Sequence, residues 1–91
     1  MVALFDLGHI VATPGCLEAF TVAGSIPFDY IRRHASGDWG ELCGEDVAEN
    51  QLAIEAGFRI LSAYSLPDGT RIWIITEADR SSTTLLLPEE Y

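Results

Sequence analysis

The chain changes its apolar period at Gly57. Beyond that residue, "FRILSAYSL" and "RIWIITEA" are rich in β-branched and aromatic residues and alternate with a period of two, the spacing of strands. "PDGT" between them is a strong turn signal, so the two runs make a β-hairpin. On its second arm Ile72, Ile74 and Thr76 point one way and Arg71, Trp73, Ile75 and Glu77 the other. "TEADRSS" turns the chain again, and "TTLLLP" returns as a last strand that Pro88 ends. A sheet this small needs one face covered, and only the residues before Gly57 are left to cover it.

Those residues read as a short strand and three helices. "GHIVA" within 5–12 alternates and predicts the strand. Thr13-Pro14 is a helix start, with a hydroxyl at the N-cap and the ring at N1; the helix "PGCLEAFTVAG" ends at Gly24, with Leu17, Phe20 and Thr21 on one side. A second helix opens near Pro27, with Phe28 and Ile31 sharing a face; Arg32, Arg33 and His34 in its last turn complement the helix dipole as cations. Trp39, between Gly37 and Gly40, is expected to plug the core from a loop. The third helix, 44–56, carries Glu45, Asp46 and Glu49 near its N-terminus, and its buried stripe is expected at 47/48, 51/52 and 54. The expected whole is one α+β domain over 1–91: N-terminal strand, three helices, then a three-stranded antiparallel meander, the helices on one sheet face.

Charge narrows the partners. Fourteen acids face five bases, all arginine, for a net charge of −9, and no base occurs between Arg33 and Arg59. Such a surface repels nucleic acid and anionic membranes and attracts a cationic protein groove. No apolar run is long enough to span a membrane, no secretory signal is visible, and Cys16 and Cys43 are spaced as free thiols, so a cytoplasmic protein is expected.

Chemistry leaves little trace. His9 and His34 sit in no catalytic signature, zinc spacings are absent, and no glycine-rich phosphate loop follows a strand. Asp38, Glu41, Glu45 and Glu49 lack the ligand order of a calcium loop, and no cofactor is expected. Glu77, Asp79 and Arg80 crowd one loop, where an ion pair and an Asx turn at Asp79 are expected. What remains is the charge itself. Glu45 and Glu49 lie one helical turn apart, with Cβ atoms roughly 5–6 Å apart, a spacing comparable to that of phosphates along a strand. Asp38, Glu41, Asp46 and Glu55 extend that patch.

The blocks "GHIVATPG", "RHASGDWGEL", "ILSAY" and "IWIITEADRSSTTLLLPEEY" resemble a family of small proteins carried on bacterial plasmids and other mobile elements. The likeness runs over nearly the whole chain, and the family brings no catalytic residues with it. Some relatives carry a restriction-enzyme-subunit label, but 91 residues are too few for a methyltransferase domain. By analogy of setting, the resemblance implies a non-enzymatic inhibitor of host defence, anti-CRISPR-like or anti-restriction-like, that imitates DNA. The expected partner is a basic nucleic-acid-binding protein such as a CRISPR effector, contacted by Asp38, Glu41, Glu45, Asp46, Glu49 and Glu55, with the chain itself monomeric. The alternative is a small enzyme or ligand-binding protein with a site at His34, Asp38, Trp39 and the 77–80 loop; an accessory subunit dimerising through a strand edge at 83–87 is a third reading.

Overall fold

The computed structural model describes residues 3–91. The order is β1 (His9–Ala12), α1 (Pro14–Ala23), α2 (Pro27–Ala35), α3 (Gly44–Ala56), β2 (Ile60–Ser65), β3 (Arg71–Thr76), β4 (Ser82–Leu86) and a final 3-10 turn, Pro88–Glu90. The fold is α+β, with three helices and a four-stranded mixed sheet in the order β1-β4-β3-β2. β2, β3 and β4 pair antiparallel, and β1 pairs parallel to β4, His9 opposite Ser82 and Ala12 opposite Leu85. The sheet therefore differs from the expected three-stranded meander by one more strand, because the helical crossover carries the chain from β1 to the opposite edge at β2 and the strands that follow return to set β4 beside β1. For the same reason β4, read from sequence as a free edge at 83–87, is interior and bonded on both sides.

Local signals set the helix bounds. The Thr13 hydroxyl accepts from the Cys16 N–H at 3.1 Å, Pro14 occupies the first turn, and Gly24 closes α1 with a left-handed φ of 70°. α1 buries Cys16 and Phe20 rather than a stripe through Leu17, which is exposed. α2 buries Ile31, His34 and Ala35, leaving Phe28 in solvent. α3 has the expected bounds, but its buried side runs through Asn50 and Ala53, with Val47 and Ile54 half-buried; Gln51 and Leu52 face out. The reason is polar. The Asn50 amide donates to the Leu61 carbonyl at 2.6 Å and accepts from its N–H at 3.1 Å, which closes part of the free edge of β2.

The alternation read on β3 holds on the covered face, where Ile72, Ile74 and Thr76 are fully buried. They join Ile60, Ser62 and Tyr64 of β2 and Thr83 and Leu85 of β4. Cys16, Phe20 and Ile31 pack onto this face, and each large apolar side chain buried there contributes about 1.5–3 kcal/mol. Trp39 is the expected loop plug, clustered with Ala53 and Ile60. On the opposite face Trp73 meets the ring of Tyr91 at 5.7 Å.

Candidate functional site

The six acids expected to form one patch divide into two groups. Asp38 belongs to the turn after α2: Arg33 Nε donates to it at 2.7 Å, and it also accepts from the Gly40 N–H. The Arg33 hydrogen bond holds the Asp38 carboxyl below its usual range. Glu41 accepts from the Ser65 hydroxyl at 2.7 Å and lies 3.7 Å from Arg71 Nη2. Both carboxylates are thus matched with arginine, and neither stands on α3.

The other four are on α3. Asp46 is half-buried and accepts from the Cys43 thiol at 3.2 Å, whereas Glu45, Glu49 and Glu55 are exposed. At about 100° per residue, those three span an arc of about 120°, with Glu55 opposite Asn50 and Ala53 and Glu49 at the margin, about 40° from Ala53. Among the described residues no base makes an ion pair with any of them. Leu52 projects between them and is 56% exposed. The outer side of α3 is therefore a carboxylate ridge with an apolar centre. Asp38 and Glu41 were grouped with it because they are near in sequence; the loop at 37–43 carries them to the β2 edge instead.

Of the residues of the alternative site, His34 and Trp39 are buried in packing, Asp38 is paired with Arg33, and Glu77, Ala78 and Asp79 are exposed. His34 is fully buried beneath Phe5, whose ring meets it edge-on at 5.3 Å, and Trp39, at 5.9 Å. It is no cation at the helix end: burial lowers its pKa from 6.5 to about 4. Its tautomer follows from counting protons along the chain of bonds it joins. Thr83 donates its one proton to the Leu7 carbonyl at 2.7 Å, so it must accept from Thr76, 2.8 Å away. Thr76 then has no proton left for His34 and accepts from Nε2–H at 2.9 Å, which leaves Nδ1 to accept from the Ser62 hydroxyl at 2.5 Å. One neutral ring thereby ties α2 to β2, β3 and β4.

Arg80 likewise holds structure together rather than pairing with Glu77 or Asp79. Its guanidinium donates to the carbonyls of Phe58, Glu77, Ala78 and Ala53, the last at the negative end of α3. The Asx turn expected at Asp79 is present, with the Ser81 N–H donating to its carboxylate at 2.9 Å. Burial pushes the Cys16 thiol up to about 11, while Cys43 is exposed at the start of α3; both are free. Among the described residues no three His, Cys, Asp or Glu side chains gather to hold a metal ion, and no helix is long and apolar enough to cross a membrane.

The buried imidazole has a consequence for stability. The unfolded chain binds a proton at His34 below pH 6.5, and the folded chain does so only near 4. Stability contributed by the neutral ring is complete above 6.5 and drains away as pH falls toward 4. At about 1.4 kcal/mol per pKa unit the loss approaches roughly 3 kcal/mol. Protonation of the many carboxylates also changes stability over this range, so the comparison is with H34Q: urea melts at pH 7 and pH 4.5 should show a smaller loss in the variant. Equal losses in the two proteins would remove this account.

No family model, curated protein or solved structure matches the chain. The resemblance to mobile-element proteins thus rests on the sequence blocks quoted for it.

Proposed function

We propose that the protein is a non-enzymatic binding protein that occupies the cationic groove of a nucleic-acid-handling protein, as an inhibitor of bacterial defence would. The observation that carries this reading is the outer side of α3. Three exposed carboxylates, Glu45, Glu49 and Glu55, stand on one regular helix with no ion-pair partner among the described residues. A groove lined with lysine and arginine recognises phosphates by charge and spacing, and a stiff row of carboxylates offers it the same two properties. Leu52 at the centre adds an apolar anchor of the kind that interface cores use. The net charge of −9 supplies long-range attraction toward such a groove and repulsion from nucleic acid itself. The mobile-element resemblance supplies the biological setting: a bacterial cytoplasm with a CRISPR effector or restriction nuclease as the partner.

The test uses purified defence nucleases of both kinds and measures how far the protein displaces their target duplex. For a nuclease that the wild type inhibits, E45K/E49K should weaken inhibition roughly 30–100-fold, the equivalent of about 2–3 kcal/mol. Inhibition should also fall steeply as salt rises. Lysine near a helix N-terminus costs about 0.3–1 kcal/mol per site, so circular dichroism and E45Q/E49Q control for folding. Unchanged inhibition by the folded lysine variant would refute the reading.

A further inference from the structure

The two edges of the sheet are treated differently. At the β2 edge, Trp39 and Glu41 bond to Ala63 from the side, and the Asn50 amide takes both backbone groups of Leu61. The β1 edge has no such cover among the described residues. His9 and Thr13 donate their N–H groups to Ser81 and Leu85, toward β4. Because strand residues alternate sides, the N–H and C=O groups of Ile10 and Ala12 face outward.

Nothing in the side chains of this strand guards it. An exposed edge is ordinarily blunted by lysine, proline, a bulge or an inward charge, and "HIVA" has none of these. Ile10 and Val11 lie on opposite faces of the strand, and each is 49% exposed. A segment laid alongside would find two pairs of backbone hydrogen-bonding groups and an apolar contact on either face.

Charge selects the occupant. No strand of the sheet contains an acid, but acids stand at both ends of β1. Asp6 precedes it, and the Asp79–Ser81 turn abuts its first residue through the His9 N–H and the Ser81 carbonyl. At the far end Thr13 donates to Glu90 at 2.6 Å, with Glu89 adjacent in sequence. A second copy pairing antiparallel would set the acids of one strand end against those of the other, within a complex carrying twice the charge of −9. An extended segment with an apolar middle and lysine or arginine at both ends meets the opposite charge at each end.

We propose that the open edge of β1 is a strand-addition site for an extended, apolar-centred segment with basic flanks. This inference does not depend on the α3 ridge, which lies on another element and is read through side chains rather than main-chain bonds. Main-chain bonds supply the register of the added strand, and the alternate side chains supply selectivity.

The probe is a synthetic peptide, Lys-Lys-Val-Thr-Val-Ile-Lys-Lys, titrated into the whole chain and followed by amide NMR and hydrogen exchange. Protection should appear at the Ile10 and Ala12 amides. A peptide with glutamate flanks should bind at least about tenfold more weakly, and N-methylation of alternate middle residues should abolish binding. I10P removes one outward N–H at a position where an edge strand tolerates proline, and should abolish binding with the fold retained. Where that variant does not fold, the N-methylated peptide makes the same test from the other side. Three outcomes would overturn the inference: no binding at millimolar peptide, binding lost in E45K/E49K while the β1 amides stay unprotected, or protection that grows with protein concentration alone. The second leaves the α3 reading standing, and the third makes the occupant a second copy.

Discussion

H34A is expected to be the most damaging single change in the helical layer, lowering stability by roughly 3–5 kcal/mol. Two effects add. Removing the imidazole leaves a cavity under Phe5 and Trp39, which are the rings that cover it. It also takes away the Nδ1 acceptor of the Ser62 hydroxyl and the donor to Thr76, both on fully buried residues. A buried polar group left without a partner costs about 1–3 kcal/mol. Domains of this size are stable by only about 5–15 kcal/mol, so the melting temperature should fall by more than about 10 °C. Order within the network makes the prediction sharper. Because Ser62 donates and Thr76 accepts, S62A deletes only the bond to Nδ1, whereas T76V deletes the acceptor for Nε2–H and the donor to Thr83 together. T76V should therefore cost more than S62A in urea melts. The reverse order would count against this assignment of donors and acceptors.

This network also shows what the sequence concealed. The strands, the hairpin turn, the helix bounds and Trp39 as a plug were all legible, because each depends on neighbours a few residues away. Thr13 caps with its own third successor, and Gly57 closes α3 with a φ of 79°. The buried polar bonds join residues 7 to 76 positions apart, and nothing local marks them. His34 read as a cation because it follows two arginines at a helix end, yet it is the neighbour that turns inward. Arg80 read as the partner of Glu77 and Asp79 for the same reason, and its guanidinium goes to carbonyls instead.

The acidic patch failed in part by the same logic. Proximity in sequence grouped Asp38 and Glu41 with the α3 acids, but two glycines at positive φ redirect the chain between α2 and α3. Only the i, i+4 pair, whose spacing the helix itself enforces, was secure from the start. Glu55 also belonged to the patch read from sequence, but its place relative to the buried side of α3 was not legible there. The apolar count placed that side near Leu52, and the Asn50 bonds to Leu61 move it.

One of those two glycines gives the second large expected effect. G40A should destabilise by roughly 3–5 kcal/mol, against about 1–2 kcal/mol for G57A. Both residues have positive φ, 74° and 79°, so the backbone strain from adding a Cβ is common to the pair. Their surroundings differ. A Cβ on Gly57 meets nothing within 4 Å, whereas one on Gly40 overlaps the Ala63 carbonyl oxygen and comes within 2.6 Å of the Tyr64 ring. Ala63 and Tyr64 are both held in the sheet and Tyr64 is buried, so the loop is the part that must move, and the bond from the Tyr64 hydroxyl to the Asp38 carbonyl goes with it. As it moves, the bridge from Trp39 and Glu41 to Ala63 breaks and Trp39 leaves its place beside Ala53 and Ile60. In a W73F background Trp39 is the sole tryptophan, and its emission should shift to the red in G40A and not in G57A. The β2 edge would then stand open at Ala63, with unpaired backbone groups on both sides of the sheet, so G40A should also aggregate at lower concentration. If the two variants cost the same, the strain is purely local and the close approach of this loop to β2 is not what seals the edge.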